Sequence, residues 1–144
     1  MMNSDPALMF TCSLIEYIGR KQKLPRTAVV QGLNRENIAR IYKYADVLHC
    51  EPILHVADEY IRLAELGTGD YDNVKKCKYE IPDYWAIGEV YERLIEDVSQ
   101  SDPVQTLFEV YSSWISDAIS NYNSDFYYQP RDYIKECYFA GEIL

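Results

Sequence analysis

The sequence predicts an all-α fold: a single compact multi-helix domain, six or seven helices, spanning residues 1–144. Three observations predict it. Apolar residues recur at spacings of three and four through most of the 144 positions, the period of a helix with one buried face. The periodic stretches are bounded by helix start and stop residues, with Ser, Asp, Asn or Pro in front and Gly behind. The connections are mainly short, as in packed helical domains. Helix content of roughly 55–70 % is expected, well above the usual third.

Residues 1–4 are expected to fray. Ser4 or Asp5 caps a first helix that carries Pro6 in its first turn. Leu8, Phe10 or Thr11, Leu14, Ile15 and Ile18 form its apolar face, with Glu16, Arg20 and Lys21 read as facing outward. A shorter second helix starts at Leu24-Pro25 and stops at Gly32. Asn34 caps a third over residues 35–48, with Ile38, Ile41, Tyr42, Ala45 and Leu48 at the buried spacing. Pro52 starts a fourth, which Gly67 ends. Residues 67–81, rich in Gly, Asp and Asn, form an internal loop between N-terminal and C-terminal helical halves. A short strand or an irregular docking segment is expected near residues 77–81. Pro82 and Asp83 open the next helix, whose core face is Trp85, Ile87 or Gly88, Tyr91, Leu94, Ile95 and Val98.

Residues 103–128 carry the strongest periodic signal. Asp102 caps and Pro103 begins a helix of about twenty residues. Val104, Leu107, Phe108, Tyr111, Trp114, Ile115, Ala118, Ile119 and Tyr122 mark its apolar face. The chain reads as organised around it, with Phe108, Tyr111, Trp114 and Ile115 at the centre of the core. Residues 123–125 stop it. Phe126, Tyr127 and Tyr128 then form an aromatic clamp too large to leave wholly exposed. A last helix over residues 132–140 ends at Gly141. The predicted core is Leu14, Ile18, Ile41, Leu48, Ile61, Tyr91, Leu94, Leu107, Tyr111, Trp114, Ile115 and Ile119.

The formal charge is −9, and it is unevenly spread. Residues 1–66 hold eight basic and eight acidic groups, whereas residues 67–144 hold six and fifteen. The second half therefore repels phosphate backbones and attracts a basic partner. Cys12, Cys50, Cys77 and Cys137 are widely spaced without a CxxC. The first ten residues lack the basic segment and apolar run of a signal peptide. Nor does any stretch of about 18 apolar residues mark a membrane span. Reduced thiols in the cytoplasm, without required bridges, are the expectation.

No pattern for a metal or organic cofactor appears, and none is expected. His49, Cys50 and His55 match no ligand spacing. Ser112 and Ser113 lack a GxSxG turn, and GTGD lacks the lysine of a phosphate-binding loop. Glu89, Glu92, Glu96 and Asp97 read as an acidic ridge on one helix. Paired carboxylates suit acid–base work, so a small carboxylate-dependent hydrolase is one alternative. No nucleophile accompanies the ridge, which argues against an enzyme. A helix-turn-helix-like segment at residues 25–47, offering Arg35, Asn37, Arg40 and Lys43, is the other alternative, a DNA-binding regulator. The acidic remainder disfavours nucleic acid.

The stretches TCSLIEYIGRKQKL and NRENIARIYKYADVLHCEPILHVADEYI resemble the small bacterial proteins of the DUF3791 family. Phe10, Ile15, Glu16, Tyr44, Asp46, Leu48, His49, Asp58 and Ile61 are the comparable features, within residues 8–64. The resemblance implies a toxin–antitoxin-like setting, and so a binding partner rather than chemistry. It transfers no catalytic residues. The reading is a cytoplasmic protein–protein interaction module, antitoxin-like or regulatory, whose partner has a basic surface. Glu89, Glu92, Glu96, Phe126, Tyr127 and Tyr128 are the candidate contact residues.

Overall fold

A computed structural model describes residues 5–144. The expected fraying of residues 1–4 lies outside the described residues. Helices α1 (Pro6–Gln22), α2 (Arg26–Lys43), α3 (Ala45–Leu48) and α4 (Ile53–Leu63) form the first half. Helices α5 (Asn73–Lys76), α6 (Tyr84–Val98), α7 (Pro103–Tyr111), α8 (Ile115–Ser120) and α9 (Arg131–Ala140) form the second, with a 3-10 turn at Phe126–Tyr128. The all-α domain is as expected, but the described residues hold nine α-helices rather than six or seven.

The extra helices have local causes. The long helix expected from residue 103 to about 122 is interrupted at residues 112–114. There the Ser113 hydroxyl donates to the Val110 carbonyl at 2.7 Å and accepts from the Ile115 amide at 3.3 Å. A side chain thus takes over backbone partners and ends the ladder. The helix expected over 35–48 breaks at Tyr44, which ends α2 and precedes α3. The boundary expected at residues 32–34 is present: α2 is two helical runs joined across a kink at Asn34, whose φ is 66°, and the Asn34 side chain caps the second run through the Asn37 amide at 3.1 Å. Within the loop at 67–81, Asp72 caps the four-residue α5 through the Lys75 amide. Residues 77–81 make no strand; they dock irregularly.

Helix α1, not the 103–128 stretch, is the axis. Residues 8, 10–16, 18 and 19 are all buried, so it is enclosed on nearly every side, the signature of a central helix. It lies along α6 and α2 and also touches α3 and α4. Asp5 caps it through the Leu8 amide at 3.1 Å. The contact with α6 is very close. A Cβ on Gly88 would stand 2.1 Å from Ser13 Oγ and 2.8 Å from Ser13 Cα and N. Asp83 and Asp102 cap α6 and α7 as expected, and Gly141, at φ 78°, closes α9.

Nine of the twelve predicted core residues are buried; Leu48, Ile61 and Trp114 are only partly so. Trp85, placed on the core face by spacing, is 37 % exposed. Of the four residues expected at the centre, Tyr111 and Ile115 are fully buried while Phe108 and Trp114 are only partly so, and Tyr111 stacks on Tyr91 at 4.0 Å and 11°. Replacing Trp114 with alanine therefore has a smaller expected cost than replacing a fully enclosed aromatic, about 3–5 kcal/mol.

Candidate functional site

Two polar constructions stand out, one buried and one at the surface. The buried one begins where α1 meets the start of α2. Arg26 Nε and Nη2 donate to the two carboxylate oxygens of Glu16 at 2.9 and 3.0 Å. Arg26 also donates to the Leu24 carbonyl at 2.8 Å and to Asn73 Oδ1 at 3.0 Å. Arg20 donates to Glu16 at 2.9 Å and to the Pro82 carbonyl at 2.6 Å. The Tyr122 hydroxyl also donates to Glu16. Glu16 and Arg26 are each 1 % exposed. Gly19 makes room: a Cβ there would stand 2.4 Å from Arg26 Cδ.

Burial opposes ionisation of Glu16, but the charges of Arg26 and Arg20 prevail and hold its carboxyl below the usual range. Burial and the Glu16 carboxylate push the Tyr122 hydroxyl up to about 12. The carboxylate is fully engaged and has no opening for a substrate. This network ties α1, α2, α5 and the end of α8 together. Glu16, expected on the outward face of α1, is instead buried in this network. The available signal was the small residues Cys12, Ser13 and Gly19 interspersed among the large apolar ones, which let neighbours approach the helix on more than one side.

At the surface, a groove of about 260 Å³ runs between α6, the 3-10 turn and α9. Ala86, Val90, Leu94 and Ile134 supply its apolar lining, Tyr127 and Tyr128 line it from the turn, and Glu89 and Arg93 from α6. The fold thus brings Glu89, Tyr127 and Tyr128 together. Phe126 is not with them: it is 2 % exposed and packs near Trp114 and Tyr133.

The acidic ridge does not exist as a continuous solvated surface. Glu92 is 3 % exposed, and its Oε2 has no hydrogen-bond partner among the described residues. Glu96 lies 3.7 Å from Arg131, which also grips Asp97 at 2.8 Å. Glu89 pairs with Arg93 at 3.4 Å. Burial, then the adjacent Glu96, pushes the Glu92 carboxyl up to about 8. The folded protein holds this proton to higher pH than the unfolded chain does. Glu92's contribution to stability is therefore complete below the usual carboxylate range and is lost as pH rises through about 8. Glu92→Gln is expected to remove that loss. Urea unfolding above about pH 8 should show the variant more stable than the parent, with little difference in mild acid. Parallel pH profiles of the two proteins would refute the assignment.

The other sequence candidates are dispersed. His49, Cys50 and His55 are exposed. Among the described residues, no group of three or more His, Cys, Asp or Glu side chains converges on a metal position. Arg35 pairs with Asp102 at 2.8 Å and also donates to Gln105. Arg40 lies 3.8 Å from Glu36, and the Asn37 amide group donates to the Leu33 carbonyl. The described cysteines are free: Cys12 and Cys137 buried, Cys77 half-buried, Cys50 exposed. No helix is long and apolar enough to cross a membrane, among the described residues. Comparison with protein-family models, curated proteins and solved structures gave no match.

Proposed function

We propose that the chain is a cytoplasmic protein–protein interaction module, an antitoxin-like or regulatory partner. It docks a protein with a basic surface through the groove between α6, the 3-10 turn and α9. The observation that carries this reading is the apolar part of that groove, Ala86, Val90, Leu94 and Ile134 beside Tyr127 and Tyr128; Glu89 is paired there with Arg93, and Arg131 also lines it, so the attraction for a basic partner comes from the net charge rather than from the groove. Aromatic residues lining an apolar recess are the usual durable contacts of an interface. The net charge of −9 speeds encounter with a basic partner. The resemblance of residues 8–64 to DUF3791 proteins points the same way, towards a partner rather than chemistry. The DNA-binding alternative has less support, because Arg35, Asn37 and Arg40 are engaged within the protein.

The test is affinity capture from the source cells followed by mass spectrometry. Ala86→Arg and Glu89→Lys serve as groove variants, since both positions lie in the lining. A basic protein captured by the parent and lost with both variants is the expected result. Absence of a protein partner, together with salt-sensitive DNA binding abolished by changing Arg35 and Arg40, would replace this reading with the regulator.

A further inference from the structure

We propose that a second hollow, next to the groove, receives an arginine side chain of the protein partner. The inference rests on the interaction reading and adds the chemistry of one contact. The hollow measures about 630 Å³ and is lined by Tyr79, Glu80, Tyr122, Asp125, Tyr127 and Tyr128, with Asn123 and Ser124 between them. Its charged lining residues are both acidic, and no lysine or arginine lines it. Neither Glu80 nor Asp125 forms an ion pair with a described residue. That separates them from Glu89, Glu96 and Asp97, whose charges are met by Arg93 and Arg131.

The aromatic part is arranged for a cation. The rings of Tyr127 and Tyr128 meet edge to face, 5.0 Å apart at 85°, so the hollow has two perpendicular walls. Tyr122 meets Tyr127 in the same way at 6.0 Å and 75°. Tyr79 and Tyr128 are 70 % and 66 % exposed, so their ring faces are open to a ligand. The protein already uses this chemistry at one of the walls, where the Arg20 guanidinium lies 5.2 Å from the Tyr122 ring centre. The two segments that build the hollow are pinned before any ligand arrives. The Lys78 amide donates to Asn123 Oδ1 at 2.8 Å, and Asn123 Nδ2 donates to the Lys76 carbonyl at 3.1 Å. Such preorganisation lowers the entropy cost of binding. Guanidinium fits better than ammonium because it is planar, weakly hydrated, stacks on tyrosine and forks onto a carboxylate.

The experiment is a nuclear magnetic resonance titration of the full chain with the peptide acetyl-Gly-Arg-Gly-amide. Matched peptides carrying lysine or the neutral isostere citrulline are the comparison probes. Saturable shifts of the Tyr79, Tyr127 and Tyr128 ring signals are expected with the arginine peptide alone. Tyr128→Ala should weaken that binding about two- to fivefold, and Tyr128→Phe should restore it. Glu80→Gln combined with Asp125→Asn should abolish saturation. All three positions are exposed, and unchanged helical circular dichroism establishes that the variants fold. Equal shifts with the citrulline or lysine peptide, or indifference to Tyr128→Ala, would overturn the proposal. If a basic partner is captured and held equally by the Glu80/Asp125 double variant, the hollow is refuted and the interaction module stands. If the arginine peptide saturates as described but no partner is captured, the hollow stands and the module reading fails.

Discussion

Replacing Arg26 with methionine is expected to destabilise the protein by about 3–5 kcal/mol, the usual cost of stranding one member of a buried ion pair. The substitution keeps much of the side-chain length but removes every donor that Arg26 directs at Glu16, Leu24 and Asn73. Glu16 would stay 1 % exposed with only Arg20 and Tyr122 to meet its charge. Coupling Arg26→Met with Glu16→Leu should recover much of the loss, because no fully buried charge is then stranded: Arg20, which loses Glu16, is partly exposed and keeps the Pro82 carbonyl. Urea unfolding of both variants measures this. A single-variant loss below about 1 kcal/mol would place the network among ordinary surface ion pairs. The pH sign also follows. Glu16 is held below the usual carboxylate range, so its contribution is present above that range and is lost as pH falls through its lowered folded value. Arg26→Met should therefore flatten the acid limb of the stability profile.

Gly88→Ala is expected to cost about 3 kcal/mol, at the upper end for an overpacked core. Helix propensity alone predicts the opposite, a gain of about 1 kcal/mol for alanine within a helix. Sterics decide, because the added Cβ would meet the Ser13 backbone at 2.8 Å as well as its hydroxyl. Backbone cannot rotate aside as a flexible side chain can, so α1 and α6 must separate. Gly67→Ala, where a Cβ would meet nothing within 4 Å, is the matched control. Equal midpoints for Gly88→Ala and the parent in thermal unfolding would show that the two helices slide apart freely.

The helix boundaries were legible because caps act locally. Asp5, Asn34, Asp83 and Asp102 each hold an amide two or three residues ahead. The break at residues 112–114 was not legible, since apolar periodicity runs straight through it while the Ser113 hydroxyl redirects the backbone. Glu16 misled for a different reason. Four residues before Arg20 it reads as one half of a surface pair, and that pair does exist at 2.9 Å. Its burial depends on Arg26, Asn73 and Tyr122, which only the tertiary structure brings together. The same distinction divides the candidate site. Glu89, Tyr127 and Tyr128 line one groove. Glu92, on the same helix as Glu89, turns under neighbouring chain, and sequence spacing carries no information about what covers a helix face. The hollow beside them depends on Tyr79 and Glu80, from a loop without periodicity, docked through Asn123.

The buried network joins partners of very different separation along the chain. Glu16 and Arg26 are ten residues apart and can meet within the α1–α2 hairpin alone, at small loop-closure cost. Their remaining partners, Asn73 and Tyr122, arrive from 47 and 106 residues away respectively. Until both arrive, the pair can persist only if water still reaches it. A hairpin that dried out early, against the wrong helix, would trap a carboxylate and a guanidinium without their full set of hydrogen bonds. The chain carries many interchangeable aliphatic and tyrosine surfaces, and these alone discriminate poorly among collapsed arrangements. A buried charged pair disfavours such alternatives, because dehydrating α1 without α5 and Tyr122 leaves Glu16 and Arg26 short of hydrogen-bond partners.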